Sequence, residues 1–213
     1  MSFSAAKVTP SKRTASKEAR RLQLIQATIR SIAKYGLSDT TIATVSREAQ
    51  LSQGIVNLHF QSKERLLFET LKFVADEYRD TWERALAQAG PSLAERLEAL
   101  LSVDYDKSVF DRDKIALWFA YWSETKSRPT YRKLCAERDQ GYDTVLSELV
   151  AAIIEEGEYG PLDSAIIANG LAAMTEGLWL DLLVNPKDMN RDKALRISRT
   201  YLACLFPKHF TPI

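Results

Sequence analysis

Residues 40–67 read Thr-Thr-Ile-Ala-Thr-Val-Ser-Arg-Glu-Ala-Gln-Leu-Ser-Gln-Gly-Ile-Val-Asn-Leu-His-Phe-Gln-Ser-Lys-Glu-Arg-Leu-Leu. Ile42, Val45 and Ala49 recur at three- and four-residue spacing, which predicts a short helix with one apolar face. That helix stops at Gln50-Leu51, Ser52 offers an N-cap, and a second short helix is predicted through Phe60. Two short helices set at an angle by a tight turn are what a helix-turn-helix needs, the second helix entering the major groove of DNA. A hairpin of core helices has a similar composition, so the flanks decide between the two.

The flanks are basic. Residues 1–63 contain ten Lys and Arg against three acids, Glu18, Asp39 and Glu48, a net charge of +7. The whole chain carries only +1, so the other 150 residues carry −6. A phosphate polyanion attracts the first part and is repelled by the second, as a DNA-reading head on an acidic body requires.

Upstream of the reader, residues 1–16 are polar and include Pro10, which predicts a flexible basic arm. A first helix is expected over 17–35, with Leu22, Ile25, Ile29 and Ile32 in register and Gly36 closing it in a left-handed C-cap. Downstream, Ser62 can cap a long helix that carries Leu66, Leu67, Leu71, Val74, Tyr78 and Trp82 and ends near Gly90-Pro91. Breaks at 104–106, Ser127-Arg128-Pro129, 157–161 and Asn185-Pro186 then leave about five further helices. The last two are expected over 163–184 and 190–206. No stretch alternates with period two, so strands are not expected.

The expected fold is all-α, with about nine helices. After the arm, residues 17–62 form a three-helix, helix-turn-helix DNA-binding domain, and 63–213 form a ligand-binding and dimerisation body. Gly170 and Gly177, one heptad apart, imply close backbone approach, either within the chain or at a subunit seam. A helix-turn-helix that spans two half-sites favours the seam, hence a homodimer through the last two helices.

With 213 residues, 46% of them hydrophobic, the chain can bury a substantial core. Its longest apolar runs, 115–122 and 178–184, fall well short of the roughly 20 residues of a membrane span. The N-terminus has no apolar stretch of the secretory kind, and a cytoplasmic location with no membrane partner is expected. Cys135 and Cys204 have no paired spacing and read as buried or incidental thiols, and no metal or cofactor is expected. The only histidines are His59, in the reader, and His209, near the C-terminus; no phosphate loop, metal spacing or nucleophile motif accompanies them. An enzyme is therefore disfavoured.

Trp118, Tyr121 and Trp122 stand at i, i+3 and i+4 on one helix face. Such a stripe is ordinarily core, yet three rings together are also what a quaternary ammonium needs, since it is held by ring faces and not by hydrogen bonds. Glu176 and Trp179 stand at i and i+3 on a mostly apolar helix, where the carboxylate requires a partner: an arginine, a hydroxyl or a bound cation. On the residues alone, core and cationic pocket both remain open.

The head resembles that of the TetR family of one-component regulators in Thr40-Thr41-Ile42, Arg47-Glu48-Ala49, Leu51-Ser52-Gln53-Gly54 and Phe60-Gln61-Ser62-Lys63-Glu64. Trp118-Phe119-Ala120-Tyr121-Trp122 and Glu176-Gly177-Leu178-Trp179-Leu180 are similar to that family's choline-responsive repressors of glycine-betaine synthesis. The resemblance implies a homodimeric repressor on double-stranded operator DNA, released by choline or another small quaternary ammonium held by Trp118, Tyr121, Trp122, Glu176 and Trp179. It implies DNA contacts from Gln53, Gly54, Asn57, Leu58 and His59, with Lys63 on a phosphate and Thr41 and Thr44 near the backbone. Gln53 and Asn57 can pair with adenine, and Leu58 can meet a thymine methyl. Leu58-His59-Phe60 departs from the frequent His-Tyr-Phe, so no operator sequence carries over. A sensor of bulky lipophilic cations controlling an efflux pump, and a ligand-free architectural DNA binder, are the competing readings.

Overall fold

In the computed structural model, residues 12–211 are described. Among them are nine α-helices and no strand: α1 Lys12–Asp39, α2 Ile42–Ala49, α3 Gln53–Phe60, α4 Lys63–Gln88, α5 Leu93–Ser102, α6 Arg112–Glu124, α7 Pro129–Gly157, α8 Ser164–Val184 and α9 Arg191–Leu205. One 3₁₀ turn, Val103–Tyr105, follows α5. Contacts divide the chain into two units, Met1–Thr70 and Leu71–Ile213. The division falls inside α4, not at its start as expected. The first turns of α4 go with the head because Leu66 and Leu67 are buried and Glu69 takes Arg21 of α1 at 2.6 Å and Arg65 at 2.5 Å.

Three sequence expectations for α1 are corrected. The helix begins at Lys12, not Lys17, since no Pro or Gly interrupts 12–16; the remainder of the expected arm, residues 1–11, lies outside the described residues. Leu22 is 45% exposed, because the buried arc is completed by Leu24, Ala27, Thr28 and Ser31 and turns away from it. Gly36 has a positive φ of 79° but a ψ of 169°, a conformation open to glycine and not a left-handed cap, and a further helical turn follows it to Asp39.

In the second unit α7 and α8 form the central pair, with α5 and α6 against α7, and α6 and α9 against α8. Polar side chains start these helices by accepting from the first free N–H groups: Ser92 with Glu95 in a capping box, Asp111, Asp163 and Asn190. Leu97, Leu100, Ile115, Leu117, Leu146, Val150, Ile153 and Leu171 are fully buried and make the core.

By length and composition alone, α8 passes where the apolar runs of the sequence fell short of a membrane span. At a mean hydropathy of 1.2 it is long and apolar enough, because Ala, Gly and Thr interleave with Leu and Trp without forming an unbroken run; 33% of that window is buried in the protomer. Its exposed residues include Ile166, Gly170, Ala173, Gly177, Leu180 and Val184, a stripe at three- and four-residue spacing, beside Ala165, Asn169 and Glu176. A Cβ on Gly170 or Gly177 would meet nothing within 4 Å, so neither glycine serves close approach within the chain.

Candidate functional site

The head is a capped helix pair. Thr41 Oγ1 accepts from the Thr44 amide at 3.1 Å and Thr44 Oγ1 accepts from the Thr41 amide at 2.8 Å, a reciprocal box that starts α2. Gln50 ends α2 in the left-handed region at φ 54°, and Gln23 Nε2 of α1 donates to the Ala49 carbonyl at 2.8 Å. Ser52 occupies the N-cap position of α3 in extended backbone, though its side chain makes no capping bond. Val45, Ala49, Val56 and Phe60 are buried, as are Leu24 and Ile25 of α1, which leaves the opposite face of α3 outward.

That outward face carries the expected readers. Gln53, Gly54, Asn57 and Leu58 are exposed and His59 is half-buried. Leu58 is 75% exposed, an apolar side chain with no role inside the protomer. A Cβ on Gly54 would meet only Ser52 Oγ at 3.7 Å, so the fold itself does not require glycine there. Thr44 is more structural than a phosphate contact needs: its hydroxyl donates to the Thr41 carbonyl at 2.9 Å and accepts from Ser31 at 3.0 Å. Lys63 Nζ donates to the Ser38 carbonyl at 3.0 Å, tying the start of α4 to the end of α1. Ser62 caps α4 through the Arg65 amide at 3.1 Å.

The second unit contains a cavity of about 240 Å³ lined by Tyr78, Asp104, Tyr142, Asp143, Asn169, Ala172, Ala173, Thr175, Glu176 and Trp179. Asp104, 3% exposed, is the most buried of its acids. Tyr78 Oη donates to Asp104 Oδ1 at 2.7 Å, Tyr142 Oη donates to Oδ2 at 2.8 Å, and Trp179 Nε1 donates to the Asp104 carbonyl at 3.0 Å. Burial, followed by the charge of Asp104, holds the Tyr142 phenol well above its ordinary value, so it stays a donor. The ring of Tyr78 meets Trp179 edge-on at 6.5 Å and tilts against Tyr142 at 5.7 Å. The result is a carboxylate at the bottom of an aromatic recess, with Asp143 and Glu176 also lining it. A neighbouring groove between α7 and α8 shares Asp143 and Asn169 and adds Glu148.

Of the five residues expected to bind a ligand, Glu176 and Trp179 line this cavity. Trp122 stacks on Trp179 from α6, its plane within 5° and its centroid at 6.5 Å, and Trp118 lies behind it at 6.1 Å. Tyr121 is fully buried and meets Tyr131 edge-on at 4.9 Å. The α6 stripe thus backs the cavity and none of its three rings is among the lining residues. Sequence reasoning missed Asp104, Tyr78 and Tyr142. Asp104 stands in a segment read as a break, Tyr78 stood among the apolar residues of the long helix, and Tyr142 carried no expectation; only an acidic residue flanked by apolar ones, in Ser102-Val103-Asp104-Tyr105, hinted at burial.

Residues 93–207 match the family described as BetI-type transcriptional repressor, C-terminal, and residues 24–70 match bacterial regulatory proteins of the tetR family. The chain is 33% identical over 193 residues to the HTH-type transcriptional regulator BetI of Burkholderia thailandensis, covering 89% of this chain and 94% of that one. It is 35% identical over 196 residues to the protein of the same name from Paraburkholderia phymatum, at 89% and 94% coverage. Among solved structures, a transcriptional regulator from Pseudomonas aeruginosa PAO1 superposes with a TM-score of 0.76 at 23% identity, covering 91% and 95% of the two chains. A transcriptional regulator from Saccharomonospora viridis, solved in complex with choline, gives 0.75 at 22% identity and 87% and 95% coverage. At these identities the structural likeness establishes the fold.

Proposed function

This chain belongs to the TetR family, with a BetI-type C-terminal domain, and from that premise we propose that its effector is choline or a related small quaternary ammonium. It is a ligand-responsive transcriptional repressor and not an enzyme. The genes it governs are then those that convert choline to glycine betaine, and its place of action is the cytoplasm.

The observation that carries the effector reading is Asp104, a buried carboxylate ringed by Tyr78, Tyr142 and Trp179 at the bottom of the cavity. A permanent cation has no hydrogen to donate, so ring faces and a counter-charge are what hold it. A cavity of about 240 Å³ lies below the range of about 300–1,000 Å³ that drug-sized ligands occupy, which favours a small head over a bulky lipophilic cation. The choline complex of the Saccharomonospora viridis regulator, of the same fold, supports the same choice.

In the head, Gln53, Gly54, Asn57, Leu58 and His59 of α3 read base edges of the operator, with Thr41, Thr44 and Lys63 near phosphates. The exposed apolar stripe of α8, together with α9, forms the seam of a homodimer that presents two readers to two half-sites.

Calorimetric titration with choline, run beside a large planar cation, tests the effector. Saturable choline binding that weakens the grip on DNA is the expected result. Binding of the large cation alone would move the chain to the drug-sensor reading.

A further inference from the structure

The Asp104 carboxylate joins two helices besides lining the cavity. Tyr78, on Oδ1, comes from α4, the helix that starts directly after the reader; Tyr142, on Oδ2, comes from α7. Asp104 itself sits in the Val103–Tyr105 turn, a short piece of 3₁₀ geometry of the kind found at connectors and hinges. The next residue anchors that turn on its other side. Tyr105 Oη lies 2.5 Å from Ser198 Oγ of α9 and 3.3 Å from Thr175 Oγ1 of α8, and Arg191 Nε donates to the Tyr105 carbonyl. Fixed there, the turn presents one carboxylate to two phenols and to the cavity.

We propose that Asp104 is the coupling residue of the sensor: the carboxylate that meets the cationic effector is also the group that holds α4 through the Tyr78 hydroxyl. The inference rests on the cationic-effector reading above. Hydrogen bonds to a charged acceptor are roughly twice as strong as neutral ones, and a cation drawn to the same carboxylate competes for that charge. A ligand shifts a conformational equilibrium only through its differential affinity for the two states, and a bond that differs between empty and occupied cavity supplies that difference. The pair of phenols provides an internal control. Both make the same bond to the same side chain, but only Tyr78 stands on the helix continuous with the reader.

Tyr78→Phe and Tyr142→Phe each remove one hydroxyl and keep the ring. Choline affinity is measured by calorimetry, and DNA affinity with and without choline on a fragment that the wild-type protein selects from a random-sequence pool. Both variants are expected to melt as cooperatively as wild type and, since both phenols line the cavity, to weaken choline binding to a similar extent. Tyr78→Phe is expected to shift ligand-free DNA affinity by about tenfold and to blunt release at saturating choline, and Tyr142→Phe to change both several-fold less. Equal behaviour of the two variants toward DNA overturns the proposal, as does a Tyr78→Phe protein with unaltered DNA affinity and full release. A wild-type protein indifferent to choline rejects the effector reading alone. The coupling is then decided by the ligand-free DNA affinities, where a contrast between the two variants supports it and its absence overturns it.

Discussion

The indoles of Trp122 and Trp179 lie within 5° of parallel, centroids 6.5 Å apart, yet they stand in different relations to the cavity. Trp179 lines it and donates to the Asp104 carbonyl, while Trp122, half-buried on α6, supports Trp179 from behind. A desolvated cation–ring contact is worth about 2 kcal/mol or more. Trp179→Ala is therefore expected to weaken choline binding by roughly thirtyfold or more, and Trp122→Ala by only several-fold. Truncating a buried Trp also costs about 3–5 kcal/mol of stability, so Trp179→Phe, which keeps a ring, serves as the gentler variant. Equal losses from Trp122→Ala and Trp179→Ala in titrations of folded protein would put the cation between the two rings and not beside Asp104.

The acids in the cavity wall set a second expectation. Asp104, Asp143 and Glu176 line the recess, and no Lys or Arg is among the described lining residues. A carboxylate brought beside these acids meets like-charge repulsion. Glycine betaine carries the same trimethylammonium head as choline but ends in a carboxylate, so it is expected to bind at least about tenfold more weakly at neutral pH. The protein would then register the precursor and ignore the product. Competition of the two compounds in one calorimetric cell measures the ratio, and a ratio near one would mean that these acids do not face the ligand.

On the reader, Leu58 and Asn57 are exposed and take no part in holding the head together. Leu58→Ala and Asn57→Ala should leave the melting curve within about 0.5 kcal/mol of wild type. Each should weaken specific DNA binding by about 1–3 kcal/mol and relax the sequence preference at one base position. Lys63→Ala should behave differently: it loses the bond to Ser38 and, as a phosphate contact, weakens all sequences alike while lowering the salt slope by about one. A Leu58→Ala protein with undiminished specificity would show that this side chain faces solvent in the complex.

The unequal legibility of head and pocket has a physical cause. In the head, the deciding features are local: Thr41 caps α2 through a residue three positions on, Gln50 turns the chain, and Val56 and Phe60 repeat on one face of α3. Such short-range chemistry is written in consecutive residues. The pocket is assembled from α4, the Val103–Tyr105 turn, α7 and α8, with Asp104 meeting Tyr78 26 positions earlier and Tyr142 38 positions later. No spacing rule reports such a meeting. A tyrosine in an apolar stripe looks like core, and in Tyr121 it is core, whereas Tyr78 and Tyr142, also buried, give their hydroxyls to a carboxylate. Trp179 was legible because its companion, Glu176, is an acid on a mostly apolar helix.

The α8 stripe allows the dimer seam to be tested by a change that improves the isolated helix. Ile166 is 69% exposed, Val184 66% and Leu180 46%, with Gly170 and Gly177 set among them where an added Cβ meets nothing within the protomer. In a lone subunit, Gly177→Leu should therefore stabilise α8 by up to about 1 kcal/mol through helix propensity. Across a seam the sign reverses. If two α8 helices approach at their glycines, the new side chain separates them and the dimer dissociates more readily. Sedimentation of Gly177→Leu, with circular dichroism as the check on folding, distinguishes the two: helical content kept or raised with a weaker dimer places the glycines at the seam, and an equally tight dimer moves the seam off this stripe.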